Sequence, residues 1–317
     1  MDEYPRTLAE LEALFSTEDA CREYLFRLRW PEGFACPRCG HTEAWAMKSG
    51  LFRCDRCKHN ASVTAGTIFQ DTRQPLRLWF RAIWWVVSQK NGASALGVKR
   101  ILGLGSYETA WTWLHKLRRA MVRPGRDRLS GRVEVDESFV GGEEEGVHGR
   151  ETERKALVVI AAQENGPGIG RIRMRRVPDA SRRSLVPFVQ EAIEPGATVL
   201  TDGWEGYAPL ESMGYTHKAI TLRKSGKTAS ELMPRVHRVA SLLKRWLMGT
   251  HQGAVSREHL DYYLDEFTFR FNRRGSRHRG LLFYRLLQHA VLVAPAPYEE
   301  MIAHVPGRGR RRRRPNI

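Results

Sequence analysis

Hydrophobic positions change period along the chain, and the changes divide it. Residues 7–30 carry apolar side chains at helical spacing in two short runs, which predicts two amphipathic helices, the second capped by Ser16 or Thr17 with Asp19 in its first turn. The helical period returns over 76–122. A strongly apolar helix over 76–87 is broken by Asn91-Gly92, and a short helix over 94–101 ends in the turn Gly103-Leu104-Gly105. Ser106 then caps a last helix over 107–121, with Glu108 in its first turn. After a basic linker at 123–128 the pattern becomes strand-like over 131–140, 155–163 and 170–177. The connections there are polar and glycine-rich, which predicts an antiparallel meander. A helix (181–193), a short buried strand (198–201), a helix (203–213) and a strand (215–220) follow. Helices are then expected over 234–249, 256–271 and 281–293, before a basic tail.

Charge narrows the class. The 317 residues hold 52 Lys+Arg against 35 Asp+Glu, a net charge of +17. An excess of this size serves a phosphate backbone or an anionic surface. No window approaches the roughly 18 apolar residues of a spanning helix, and the opening residues lack the basic and apolar regions of a leader. No membrane role is expected, and the chain is expected in the cytoplasm with its thiols reduced.

Four of the five cysteines form two close pairs, Cys36-x2-Cys39 and Cys54-x2-Cys57, separated by 14 residues. Two such knuckles bring four thiolates to one tetrahedral Zn²⁺, a closed structural site. His41 and His59 are bystanders on this reading. Arg38, Arg53, Arg56 and Lys58 around the pairs suit either a DNA-facing ribbon or a purely structural staple.

Helix, short helix, glycine turn and basic helix is the order of a helix-turn-helix. Tyr107, Glu108, Thr109 and Thr112 would then face bases, with Lys116, Arg118 and Arg119 on phosphates. The alternative is a helical bundle with Trp111, Trp113 and Leu114 in its core.

Asp136 and Asp202 each interrupt or close an apolar, β-branched run, where a carboxylate is costly unless something positive meets it. His237 follows Asp202 by 35 positions, on a helix opened by Pro234. If the two strands pair, the acids become neighbours and could hold divalent cations for phosphodiester chemistry. A lone surface histidine on a basic helix is the plainer account of His237.

From 131 to 274 the chain resembles the DDE transposases of bacterial insertion sequences. Val133-Glu134-Val135-Asp136-Glu137-Ser138 resembles the strand of the first acid, and Leu200-Thr201-Asp202-Gly203-Trp204-Glu205-Gly206-Tyr207 the turn of the second. Leu242-Leu243-Lys244-Arg245-Trp246 and Tyr263-Leu264-Asp265-Glu266-Phe267 complete the match, and the branch with an N-terminal zinc ribbon fits best. The resemblance implies an RNase H-like core and a triad of Asp136, Asp202 and His237. It further implies two Mg²⁺ ions (or Mn²⁺) at that triad. Most such enzymes carry glutamate where His237 stands, seven residues before Lys244. Glu266 is the reserve third acid, although pairing with Arg270 at i+4 is its blander role. Lys244, Arg245, Arg273 and Arg274 are further candidates for DNA phosphates. Glu137 either tunes the site or faces solvent, and Glu143-Glu144-Glu145 reads as a solvated turn.

The expected whole is a multidomain α+β or α/β chain. It comprises a helical segment (1–32), zinc ribbon (33–70), helix-turn-helix-like module (72–123), RNase H-like catalytic domain (131–293) and basic disordered tail (294–317). The resemblance implies binding of double-stranded DNA at an element's inverted repeats, end cleavage and strand transfer, in a homodimer or larger assembly. The rivals are a zinc-ribbon regulator with an inert RNase H-like body and a nuclease without strand transfer.

Overall fold

The computed structural model describes residues 4–123, 125–141, 155–220, 226, 228–253 and 255–302. The acidic turn at 143–145 and the arginine run at 308–314 lie outside the described residues. The chain forms two compact units, Met1–Met121 with Ser276–Ile317, and Val122–Gly275.

In the first unit, helices α1 (Leu8–Leu14) and α2 (Glu18–Arg29) start at Thr7 and Thr17, whose hydroxyls accept the backbone N–H groups of Glu10 and Ala20. Strands β1 (Ala44–Ala46), β2 (Phe52–Cys54) and β3 (Asn60–Ala61) form a small antiparallel sheet. Helix α3 (Leu76–Ser88) has only Pro75 before it, which offers no side-chain cap. Glu18 of α2 caps it instead, its carboxylate accepting the N–H groups of Leu76 and Arg77 at 2.8 and 3.0 Å. The glycine turn is as expected: Gly103 sits at φ +65° between α4 (Ala95–Leu102) and α5 (Tyr107–Ala120).

Helix α9 (Arg279–Ala290; α6 to α8 belong to the second unit) packs on α3, α5 and α2. Its Phe283 is fully buried among Phe15, Phe80 and Trp84, with ring centroids 5.8, 5.6 and 6.0 Å away. Burial of one such ring contributes about 2–3 kcal/mol. This helix therefore belongs to the first unit, not to the catalytic domain that chain order assigns it to. The tail also starts late. Tyr298–Ile302 forms helix α10, with Met301 buried.

The second unit is built on strands β4 (Arg132–Val140), β5 (Ala156–Asn165), β6 (Gly168–Val177), β7 (Thr198–Thr201) and β8 (Thr216–Ala219), in the order β6-β5-β4-β7-β8. The first three form the expected antiparallel meander; β7 and β8 join on the other side in parallel. Helix α6 (Arg182–Ala192) covers one face, where Val133, Val135 and Val199 are buried. Helices α7 (Pro234–His251) and α8 (Leu260–Asn272) cover the other, over Val158, Ile160 and Ile172. The segment expected as a helix at 203–213 is a 3₁₀ coil, Glu205–Met213, with Pro209 inside it denying a backbone donor. A five-stranded mixed sheet between helical layers is the RNase H-like arrangement. Among the described residues no helix is long and apolar enough to cross a membrane.

Candidate active site

Strand alternation sorts the residues of β4. Val133 and Val135 enter the core under α6, so Glu134 and Asp136 face α7. The parallel register pairs Glu134 with Leu200, and two further steps reach Asp136, midway along β4, and Asp202, one residue past the end of β7. Gly203, at φ +83°, turns the chain immediately after Asp202. The Asp202 carboxylate accepts the Trp204 N–H at 3.0 Å, and the Asp136 carboxylate accepts that of Glu137 at 2.9 Å.

His237 arrives from α7. Its Nε2 lies 3.7 Å from Asp136 Oδ2, with 28% and 19% of the two side chains exposed. That nitrogen is buried and has no hydrogen-bond partner among the described residues. Burial lowers the imidazole pKa, as does Lys244, against the opposing pull of Glu134 and Asp202, so the ring is neutral near pH 7. A neutral nitrogen without a partner beside two carboxylates fits a divalent cation: the donors are right and the gap is too long for a direct hydrogen bond. The structure thus brings His237 to Asp136 and puts Asp202 just past the adjoining strand, but the three do not close to within 4.8 Å of one another as the four cysteines do.

Two residues not singled out from the sequence support them. Glu134, 2% exposed, accepts the backbone N–H groups of Arg235 and Val236 at 2.8 and 2.9 Å and the Arg235 guanidinium at 3.0 Å. It caps the helix that carries His237 from the strand that carries Asp136. Its place two residues before Asp136 was the available signal. Tyr207 is fully buried and donates its hydroxyl to Glu137 at 2.8 Å. Burial, then the charges of Glu137, Asp136 and Asp202, raise its pKa well above the usual phenol value, so it remains a donor.

Other candidates part company. Glu266 is fully buried and held by Arg270 at 2.7 Å, so its carboxylate is committed away from the cluster. Lys244 and Arg245 are exposed on α7. The Arg273 guanidinium lies 4.2 Å from the Phe269 ring centroid. Arg274 donates to the carbonyls of Ile169, Gly170 and Phe271, which ties the end of α8 to the β5–β6 hairpin. On α5, Lys116 and Arg119 are partly exposed, but Arg118 is 2% exposed. The expectation that Arg118 meets phosphate is corrected: it lies on the buried side of α5 with Leu114 and Leu117.

The cysteines form the expected cluster. All four sulfurs lie within 4.8 Å of one another, with Cys36–Cys57 at 3.6 Å and Cys39–Cys54 at 3.7 Å. Tetrahedral zinc at 2.3 Å bonds requires sulfurs about 3.8 Å apart. The knuckles are alike in backbone: Gly40 and Lys58 both take positive φ, and Cys36 and Cys54 donate to the carbonyls of His41 and His59. The set fits one structural Zn²⁺.

A ribbon of four thiolates is thus joined in one chain to an RNase H-like sheet that carries acids on two neighbouring strands. Residues 128–272 match the ISXO2-like transposase domain, and residues 16–60 match the transposase zinc-ribbon domain. A protein described as an uncharacterized protein in transposable element ISH50, from Halobacterium salinarum, is 25% identical over 281 residues, covering 81% of this chain and 91% of that protein. The chain belongs with the insertion-sequence transposases.

Proposed function

We propose that the chain binds the inverted repeats ending its element, cuts the DNA there and joins the freed 3′-hydroxyl to target DNA. The observation that carries this reading is the His237 Nε2, without a hydrogen-bond partner among the described residues, facing Asp136 of β4 at 3.7 Å, with β7, the strand before Asp202, paired to β4. Asp136, Asp202 and His237 would hold a pair of Mg²⁺ ions, with Mn²⁺ able to substitute. Bound there, such ions make a water more acidic and neutralise charge on the phosphate under attack.

The protein's own share is positioning. Glu134 fixes the first turn of α7, and Tyr207 holds Glu137 beside the acids. Lys244, two turns along α7 from His237, and Arg245 supply cations for flanking phosphates, with Arg273 a further one. The α5 surface with Lys116 and Arg119, and the ribbon, bind the ends. Joining two ends in one event calls for at least a dimer. The test is Mg²⁺-dependent cleavage of DNA flanking the gene by wild type, Asp136→Asn, Asp202→Asn and His237→Ala. Each variant should lose cleavage by more than about 100-fold. Undiminished cleavage by His237→Ala would overturn its role, and cleavage without joining of a pre-cut end would leave a nuclease.

A further inference from the structure

The turn that carries Asp202 is closed by two side chains in succession. Thr201, the last residue of β7, accepts the Gly203 N–H on its hydroxyl at 3.2 Å. Asp202 then accepts the Trp204 N–H on its carboxylate at 3.0 Å. Each is a local bond from a side chain to the backbone two residues on. The first fixes the peptide joining Asp202 to Gly203, and the second fixes the carboxylate itself.

A third bond lies behind them. The Thr201 hydroxyl is 2.9 Å from His217 Nε2. Thr201 is fully buried, and its carbonyl accepts the Ile220 N–H at 2.8 Å, so β8 and the residue after it hold Thr201 by side chain and backbone alike. Elsewhere β8 is open: Thr216, Lys218 and Ala219 are exposed, and His217 is half-buried. Parallel pairing sets His217 beside Val199, whose face of the sheet Thr201 shares by alternation. Val199 lies in the core under α6, so the link from His217 to Asp202 runs through the Thr201 hydroxyl and the backbone of the turn. Burial holds the imidazole pKa below its usual value against the pull of Glu211, so the ring is neutral near pH 7. With its proton on Nδ1, such a ring accepts the Thr201 O–H at Nε2 and leaves the hydroxyl oxygen's lone pairs to Gly203. Without that acceptor the buried hydroxyl loses its partner, a cost that favours another χ1 rotamer and breaks the Gly203 bond.

We propose that His217 is a positioning residue for Asp202, fixing the turn of the second acid through the Thr201 hydroxyl. The inference rests on the DNA-cutting reading above and adds a residue to the same site. A carboxylate that holds a cation must be kept within about 0.5 Å of its productive place. Asp136 has the β4–β5 ladder for this, paired with Ile160, whereas Asp202 lies one residue past its strand. The two side-chain bonds of the turn, anchored by His217, stand in for that ladder.

The experiment reads amide hydrogen exchange and DNA cleavage side by side on the full chain. In the free protein, His217→Leu should exchange the Gly203 and Trp204 amides about 10-fold faster, while the β4 and β5 amides keep their wild-type rates. In Mg²⁺ it should cut DNA flanking the gene about 3- to 10-fold more slowly at saturation, with the KM for DNA unchanged. His217→Gln, which keeps a polar group within reach of Thr201, should restore both readings. Thr201→Val should behave as His217→Leu does, and the double variant should be no worse than either. Unchanged exchange at the two amides in His217→Leu would overturn the proposal, as would additive losses in the double variant. Faster exchange throughout β4 and β5 would also overturn it, leaving His217 a mere tether of the sheet. Because the exchange needs neither metal nor DNA, a wild type that cuts nothing would refute the cleavage reading, while the response of the two amides would still establish His217 as the holder of that turn.

Discussion

Glu134 and Arg235 are joined twice, once through their side chains at 3.0 Å and once through the Arg235 backbone N–H at 2.8 Å. Glu164 takes the other side of the same guanidinium at 3.0 Å. A buried carboxylate thus welds a strand to a helix start 101 residues away in sequence.

Removing one partner of that pair should be severe. Glu134→Ala leaves a guanidinium whose side chain is only 15% exposed and strips the cap from α7. The expected loss is about 3–5 kcal/mol of unfolding free energy, measured by urea titration. A loss below about 1 kcal/mol would mean that α7 is held by its apolar face alone.

The zinc ribbon should bind one Zn²⁺ per chain, released when the thiols are blocked and counted with a chromogenic chelator. Cys54→Ser should lower zinc content and abolish protection of residues 36–61 from proteolysis, because ribbon folding and metal binding are one equilibrium. Full protection without zinc would refute that coupling.

On α5 the basic residues should separate by burial. Arg118→Ala should destabilise the protein, since it empties a buried position. Lys116→Ala and Arg119→Ala should leave stability nearly unchanged but weaken DNA binding. For each phosphate that loses its cation, the slope of log affinity against log salt should shrink by about one. Equal effects of all three on salt dependence would contradict this division.

Stability should fall as pH rises from about 4 to about 7 and level off above, because burial, with the Asp261 charge adding and Arg126 opposing, pushes the Asp265 carboxyl up to about 7. Unfolded, that group titrates near 3.9. The folded chain therefore holds the extra proton between about pH 4 and 7, and its contribution is complete below the unfolded value and gone above the folded one. Asp265→Asn should exceed wild type in stability at pH 8, by roughly a few kcal/mol at most, with the advantage vanishing toward pH 4. Parallel stability profiles for the two proteins would rule out this titration.

Gly206→Ala should cost about 1–3 kcal/mol, because the first close neighbour of the added methyl is the backbone carbonyl of Ala180, which cannot rotate aside. Thermal unfolding reads this directly, and an unchanged midpoint would show that the loop after β6 yields.

Much of this architecture could be read from the chain. Cysteine spacing gave the ribbon because ligand geometry is local. The meander was visible because its turns and alternation are local too. The pairing of β4 with β7 was only an inference from two acids ending apolar runs, and the parallel register bears it out. What escaped depends on distant partners. Arg118 lies four residues after Leu114 on the buried stripe of α5, and its charge masked that periodicity. Glu134 shares the face of Asp136, but its partner is 101 residues on. Helix α9 is amphipathic in either unit, and only the cavity around Phe283 decides which core receives it.

The first unit closes with a helix made after the second is finished. During synthesis, residues 122–275 can fold as an uninterrupted segment, whereas Phe15, Phe80 and Trp84 wait for Phe283. Translation thus finishes the sheet with its acids before the body that begins the chain. A ribosome stalled near 275 would release a protein with its five-stranded sheet assembled and its aromatic core still open to chaperones.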